Sequence, residues 1–240
     1  MKLKILHLYP KEMNLYGDRG NILALEKRAT WRGIKVEVVP YEPGAKIPSD
    51  INLIFGGGGQ DSSQSLIEKD LQKIAPRLKE LIENGVPALT ICGLYQLFGN
   101  FFETKDGDRI EGTHILNLST KAGEERLIGN IVIDSLEFGE IVGYENHSGL
   151  TSLGEGVVAF GNTIVGFGNN GEDKTEGARY KNCIGTYLHG PILPKNPAIA
   201  DFLIERALSF SAGKEIELEK LDDGIEALAH ESAVARAKTT

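Results

Sequence analysis

A cysteine at a turn between two predicted elements could act as a nucleophile. Cys92 follows the apolar run 86–91 and precedes a short helical pattern, so it is predicted between a buried strand and a helix N-terminus. The helix dipole and free backbone N–H groups at such a turn favour thiolate over thiol. A strand-turn-helix elbow of this kind also exposes the sulfur at the carboxyl edge of a sheet. The position alone leaves open a second interpretation, a small buried apolar cysteine.

A thiolate nucleophile needs a base, and the sequence offers five histidines. His189 ends the strand-like run 183–188, and the carboxyl end of a parallel strand would place it beside the elbow. We therefore predict that His189 is the base for Cys92. His7 in a first strand, His114 in a β-rich surface region and His230 in the tail are interpreted as structural, as is Cys183 within a core strand.

The elements that position these residues alternate along the first part of the chain. Strands are predicted at 3–9, 35–40, 51–55 and 86–91, with one helix capped by Asp18 and running to about Trp31. A second helix follows the glycine run 56–59, and Pro76 is expected to kink or split it. This order predicts an α/β fold whose central, mostly parallel sheet has helices on both faces.

The rest of the chain has a different character. Residues 101–188 form short β-prone runs separated by glycine and asparagine, for example 127–133, 139–144 and 163–167. The last clear helix is predicted at about 197–209, and the residues after about 221 are expected to form a peripheral helix or a loose tail. We predict one main domain at 1–210 and a peripheral C-terminal extension at 211–240.

Composition excludes several classes of function. The chain has 240 residues, 41% of them apolar, and a formal net charge of −8 without a basic stretch, which argues against a nucleic-acid partner. No apolar run is long enough for a transmembrane segment, so we expect a cytoplasmic protein. The glycine run lacks the lysine and hydroxyl residue of a P-loop, and we expect neither a cofactor nor a metal.

The segment around Cys92 resembles the elbow of the class I glutamine amidotransferases, Gly-x-Cys-x-Gly-x-Gln, with Cys92 and Gln96 matching and Thr90 and Leu94 in place of the glycines. Residues 187–191, Tyr-Leu-His-Gly-Pro, resemble the cobyric-acid-synthase-like branch of that family. The resemblance implies a flavodoxin-like class I amidotransferase fold. Proline occupies position 191, where the triad branch has glutamate, so we expect a Cys–His dyad or a third partner from elsewhere, for which Glu145 is a candidate.

The same resemblance implies roles for further residues. The glycine-rich turn and the residue after the cysteine would supply oxyanion donors, here Gly57 or Gly58 together with Gly93. The chain also resembles, more narrowly, glutaminase subunits that serve the amidation of lipid II, in which an arginine holds the α-carboxylate of glutamine. Arg126 matches that arginine, and an arginine fork suits a carboxylate. The other residues assigned to the site on this basis are Gln96 for substrate binding and Glu145 and His147 as possible lining residues.

Segments 14–21, 55–61 and 144–149 narrow the resemblance to glutaminase subunits that serve the amidation of lipid II. This implies hydrolysis of L-glutamine to glutamate and ammonia, with ammonia passed to a MurT-like, ATP-dependent ligase subunit in a heterodimer. That partner would convert the D-glutamate of lipid II to D-isoglutamine in peptidoglycan biosynthesis. The alternatives are a glutaminase for cobyric acid or cobyrinate amidation, a hydrolase of another amide or peptide, and a non-catalytic regulatory module of the same fold.

Overall fold

The central sheet of the computed structural model, which describes residues 1–239, has six strands in the order β11-β12-β4-β3-β1-β2. All neighbours are parallel except β11 and β12. Every residue of β3, β4 and β12 is buried, which requires cover on both faces of the sheet and confirms the predicted α/β class. The strands are β1 Lys2–Leu8, β2 Lys35–Tyr41, β3 Leu53–Gly56, β4 Ala88–Ile91, β11 Ala178–Tyr180 and β12 Cys183–Thr186.

The described chain has six α-helices: α1 Arg19–Trp31, α2 Asp61–Glu83, α3 Gly93–Leu97, α4 Ile192–Lys195, α5 Pro197–Ala212 and α6 Gly224–Thr239. The expectation that Pro76 splits the second helix is wrong, because α2 continues through it. Pro76 is on the exposed side of α2, where water can bond to the carbonyl that lacks an N–H partner. None of the described helices has the length and apolar character that crossing a membrane would need.

A second sheet lies within residues 101–176, and its main feature is a long antiparallel hairpin of β7, Leu118–Ser135, and β8, Gly139–Leu153. The predicted short strands at 127–133 and 139–144 are parts of this hairpin, because cross-strand pairing carries the ladder through the intervening glycines and asparagines. The register shifts between Ala122 and Leu127. The strands are β5 Phe101–Glu103, β6 Arg109–Glu111, β7 Leu118–Ser135, β8 Gly139–Leu153, β9 Gly161–Val165 and β10 Thr175–Glu176.

The C-terminal residues form a packed helix. Val234 and Ala237 of α6 are buried against Val132 and Val142 of the hairpin. At the start of α6, the buried Arg28 of α1 makes charged hydrogen bonds to Asp223, the residue before the helix, and also to Asp201 of α5. α6 is therefore tied to the body of the protein, and of the two forms expected for the residues after about 221 the structure shows the helix.

Candidate active site

Cys92 occupies a sharp turn between β4 and α3. Its backbone has φ +47° and ψ −102°, a region that residues with a β-carbon rarely adopt. The Cys92 N–H donates to the carbonyl of Thr186 at 2.8 Å, which ties the turn to the end of the neighbouring parallel strand β12. The predicted strand-turn-helix elbow is present, and the side chain of Cys92 is at the wall of a cavity.

The elbow forms although Thr90 and Leu94 replace the two glycines of the resembled motif. A β-carbon added to Gly56 would be 2.2 Å from Cδ1 of Leu94, so the side chain of Leu94 occupies the space that Gly56 leaves empty. Thr90 is fully buried in β4, with its hydroxyl 3.5 Å from the carbonyl oxygen of Ile184. The room that the motif normally obtains from its second glycine therefore comes from Gly56.

His189 follows β12 and is buried beside the elbow. Its backbone N–H donates to the carbonyl of Tyr144 at 2.7 Å, and the ring of Tyr16 contacts the imidazole edge-on with 4.8 Å between centroids. Burial lowers the pKa of His189, but the neighbouring Cys92 and Asp18 outweigh this effect and raise it to about 10. An imidazolium next to Cys92 favours the thiolate form of a cysteine. The structure therefore brings the two predicted residues together.

Asp18 is part of the same cluster, although the sequence predicted it as the cap of the first helix. The predicted helix cap is not made by its side chain; instead Asn14 Oδ1 accepts a hydrogen bond from the N–H of Arg19, the first residue of α1. Asp18 is fully buried, with Oδ1 3.5 Å from Nδ1 of His189. An aspartate just before a helix is the usual cap signal, so its local context could not reveal this contact.

The glycine loop after β3 differs from the expectation at one position. The N–H of Gly58 donates to Oδ2 of Asp18 at 2.6 Å, so it is not free to bind an oxyanion. Gly93 is the first residue of α3, and its N–H therefore has no acceptor within the helix. Gly57 and Gly93 remain as the predicted donors. Gly59, which the prediction omitted, lines the cavity together with Cys92.

The cavity in front of Cys92 has a volume of about 350 Å³, and Arg126 lies on its wall. The guanidinium is held by Asn146, whose Oδ1 accepts from Nε at 3.0 Å and from Nη2 at 2.8 Å. Arg126 belongs to the part of β7 where the register shifts, and such irregularities re-aim side chains. A guanidinium that is exposed and held in this orientation can donate two N–H hydrogen bonds to one carboxylate.

Gln96 also lines the cavity. Its amide is held on both sides, since Oε1 accepts from Nε2 of Gln64 at 2.8 Å and Nε2 donates to the hydroxyl of Tyr187 at 3.2 Å. The Tyr187 hydroxyl is in turn 2.7 Å from the hydroxyl of Thr151. This network fixes the orientation of Gln96 from behind the cavity wall.

Glu145 and His147 are buried neighbours, with Oε2 of Glu145 3.8 Å from Nε2 of His147. The carboxylate of Glu145 accepts backbone hydrogen bonds from Phe167 at 2.7 Å and Gly168 at 2.9 Å, so Glu145 holds a loop and is neither a lining residue nor a partner of His189. His147 does line the cavity, and its ring stacks on Tyr187 with 3.6 Å between centroids. Its Nδ1 is 2.8 Å from the carbonyl oxygen of Gly149.

The remaining histidines and cysteine are separate from this cluster. Burial raises the pKa of Cys183 to about 12, so its thiol is a poor nucleophile. Burial also lowers the pKa of His7 to about 4. His114 is exposed, and Nδ1 of His230 is 2.8 Å from the carbonyl oxygen of Lys195 near α4. Among residues 1–239 there is no group of three or more His, Cys, Asp or Glu side chains that could hold a metal ion.

A cysteine on a strained elbow of a parallel sheet, with a histidine just after the neighbouring strand, agrees with the class I glutamine amidotransferase fold that the sequence resemblance implied. A solved glutamine amidotransferase structure has a TM-score of 0.58 to this chain at 14% identity, covering 87% of this chain and 98% of the other. The PurLQS structure from Thermotoga maritima gives 0.57 at 16% identity, covering 89% and 99%. These likenesses establish the fold.

The family follows from the sequence itself. Residues 4–197 match the CobB/CobQ-like glutamine amidotransferase domain, and the chain belongs to that family. It is 47% identical to the Staphylococcus aureus lipid II isoglutaminyl synthase (glutamine-hydrolyzing) subunit GatD over 98% of this chain and 96% of the relative. The Streptococcus pneumoniae GatD subunit is 37% identical over 92% and 86%. A cobyric acid synthase from Brucella canis is 28% identical, and the match spans 40% of that longer protein.

Proposed function

We propose that this chain is the glutaminase subunit of a lipid II isoglutaminyl synthase. It hydrolyses L-glutamine to glutamate and ammonia, with Cys92 as nucleophile and His189 as base. The observation that carries the proposal is that Cys92, whose φ is +47°, lies next to His189. Cys92 also lines a cavity that has Arg126 on its wall. The 47% identity to a GatD subunit over nearly the full length of both chains supports the choice of reaction.

The reaction begins with attack of the Cys92 thiolate on the side-chain amide carbon of glutamine. The carbonyl π electrons move to oxygen, and the N–H groups of Gly93 and Gly57 stabilise the resulting oxyanion. When the oxyanion collapses, the C–N bond breaks and the His189 imidazolium gives its proton to the departing ammonia. The neutral imidazole then takes a proton from water, whose oxygen attacks the thioester and releases glutamate and the thiolate.

Substrate binding follows from the cavity wall. Arg126, oriented by Asn146, bonds to the α-carboxylate of glutamine. Gln96 is held by Gln64 and Tyr187, so that its amide presents fixed polar atoms to the substrate. The cavity of about 350 Å³ is of a size that suits one amino acid.

The ammonia is used by a second polypeptide. The closely similar relatives are named as subunits of a synthase, which supports a separate polypeptide as the user of the ammonia. We assign the ammonia to a MurT-like, ATP-dependent ligase subunit that binds this chain as a heterodimer in the cytoplasm. The ligase amidates the D-glutamate of lipid II to D-isoglutamine, which places the pair in peptidoglycan biosynthesis.

Covalent trapping tests the proposal. The chain, co-expressed with the ligase subunit, is treated with the glutamine analogue 6-diazo-5-oxo-L-norleucine and the labelled peptide is mapped by mass spectrometry. We expect one adduct on Cys92, protection by L-glutamine, no labelling of Cys92→Ala and normal labelling of Cys183→Ala. The absence of an adduct in the complex, or an adduct on Cys183, would show that the proposed nucleophile is wrong.

A further inference from the structure

The turn that precedes α1 holds the glycine loop through both backbone polar groups of Gly58. The N–H of Leu15 donates to the carbonyl of Gly58 at 3.1 Å, and the N–H of Gly58 donates to Oδ2 of Asp18 at 2.6 Å. Between these two contacts the chain makes a 3-10 turn, Leu15–Gly17, in which Tyr16 has φ +53°. Both backbone polar groups of Gly58 are therefore satisfied by the segment 15–18.

The same segment contacts the imidazole of His189. Oδ1 of Asp18 is 3.5 Å from Nδ1 of His189, and the ring of Tyr16 packs against the imidazole at 4.8 Å between centroids. Asp18 and His189 are both fully buried. The two oxygens of one carboxylate thus face two parts of the site, the glycine loop and the histidine.

The burial of Asp18 points to a task beyond folding. Among the described residues, neither Oδ1 of Asp18 nor Nδ1 of His189 has a hydrogen-bond partner, although each faces the other. A buried carboxylate oxygen without a full partner is destabilising, and such groups concentrate at functional sites. The capping of α1 does not explain the residue either, because Asn14 supplies that hydrogen bond.

The glycines make this arrangement possible. A β-carbon on Gly57 would be 3.1 Å from both Cβ and Oδ2 of Asp18, and one on Gly58 would be 3.3 Å from Oδ2. The Gly58 β-carbon would also approach Cε1 of His189 to 2.8 Å. Carboxylate, imidazole and loop can therefore come together only because the loop carries no side chains at these two positions.

We propose that Asp18 is a positioning residue that holds His189 in one tautomer and orientation and, with its other oxygen, fixes the glycine loop beside Cys92. The inference rests on the proposed function. It adds a third residue to the Cys92–His189 dyad, and this residue precedes α1, whereas the glutamate of the triad branch would be at position 191. With the proton held on Nδ1 facing Asp18, Nε2 is the nitrogen that exchanges a proton with the sulfur and the leaving group.

The test compares Asp18→Asn with Asp18→Ala and with Asp70→Asn as a matched control. Asparagine keeps an oxygen for Gly58 but presents an N–H to Nδ1, which favours the wrong tautomer, whereas alanine removes both contacts. Asp70 is a carboxylate that bridges Tyr9, Tyr41 and Gly44 away from the cavity. Each variant is prepared as the complex with the ligase subunit, and its folding is checked by circular dichroism.

Two measurements are made on each variant. In the first, glutamine hydrolysis by Asp18→Asn is expected to lose about 100- to 10,000-fold in kcat with a small change in KM, as for the loss of an orienting aspartate in other triads. In the second, the rate of Cys92 alkylation by iodoacetamide is measured against pH. Without the carboxylate the imidazolium is less favoured, so the midpoint of the alkylation profile should move to higher pH. Asp70→Asn should match the wild type in both.

The alkylation profile keeps this inference separate from the proposed function, because it needs no glutamine turnover. A shifted profile in Asp18→Asn supports the positioning role even if the wild-type complex fails to hydrolyse glutamine. A folded Asp18→Asn variant with wild-type kcat and an unshifted profile overturns it. Equal losses in Asp18→Asn and Asp70→Asn also overturn it, since any hydrogen-bonded carboxylate would then have the same effect.

Discussion

A β-carbon added to Gly58 would lie 2.8 Å from Cε1 of His189. The same atom would be 3.3 Å from Cβ of Cys92, so the backbone of Gly58 lies close to both the nucleophile and the base and leaves no room for a side chain. Its φ is not in the left-handed region. Glycine is required here by proximity, and the conformation would accept another residue.

Gly58→Ala is therefore expected to displace His189 and lower kcat for glutamine about 100-fold, because a misplacement of about 1 Å at a reacting group has an effect of that size. Gly129→Ala is the matched control, since its added β-carbon meets nothing within 4 Å and its φ is not left-handed. Steady-state kinetics of both variants in the complex provide the measurement. Equal activity of the two variants would contradict the predicted crowding.

Arg126→Lys is expected to raise KM for L-glutamine about 10- to 100-fold with little change in kcat, because one charged hydrogen bond is worth about 1.5–3 kcal/mol. Lysine retains the charge but cannot bond to Asn146 and a carboxylate with a planar fork. Arg77→Lys, on the outside of α2 and paired with Glu80, is the control and should leave KM unchanged. A fall in kcat at unchanged KM would assign Arg126 to the chemical step instead.

Much of this site was predictable because its two main residues end neighbouring strands. Cys92 and His189 each follow an apolar run, and parallel pairing of β4 with β12 brings the ends of those runs together. Asp18 could not be found in this way, since its local signal as a helix cap was strong and its real contacts are formed only in the tertiary structure. The glycine loop was predicted as a group, but the assignment of Gly58 failed for the same reason.

The fold shows the same division between local and long-range information. The parallel sheet followed from alternating apolar and helical patterns, which are local. The hairpin of β7 and β8 did not, because its continuity depends on residues that are far apart in sequence and pair across the two strands. Pro76 was misjudged since its effect depends on whether the carbonyl it leaves unpaired faces water or the core.

The buried Glu176 predicts a pH dependence of stability. Burial raises its pKa from 4.5 to about 8, although hydrogen bonds from the Tyr187 N–H and the Thr186 hydroxyl oppose the shift. The folded state then binds more protons than the unfolded state between these values, so this group lowers the free energy of unfolding as pH rises from 4.5 to about 8.

Glu176→Gln should remove that slope, so the variant gains stability relative to the wild type as pH increases through this window. Urea unfolding at pH 5.5 and pH 8 measures the effect. Glu172→Gln, at an exposed position nearby, should keep the wild-type slope. Parallel slopes for the wild type and Glu176→Gln would show that Glu176 does not titrate in this range.

The backbone conformation of Cys92, φ +47° and ψ −102°, places the nucleophile but lowers the stability of the fold. A residue with a β-carbon in such a region is destabilised by about 1–3 kcal/mol, and glycine is relieved of most of that strain. Of two inactive variants, Cys92→Gly should therefore melt at a higher temperature than Cys92→Ala, although it has the smaller side chain. At this one position, the residue that enables catalysis is one that folding alone would not select.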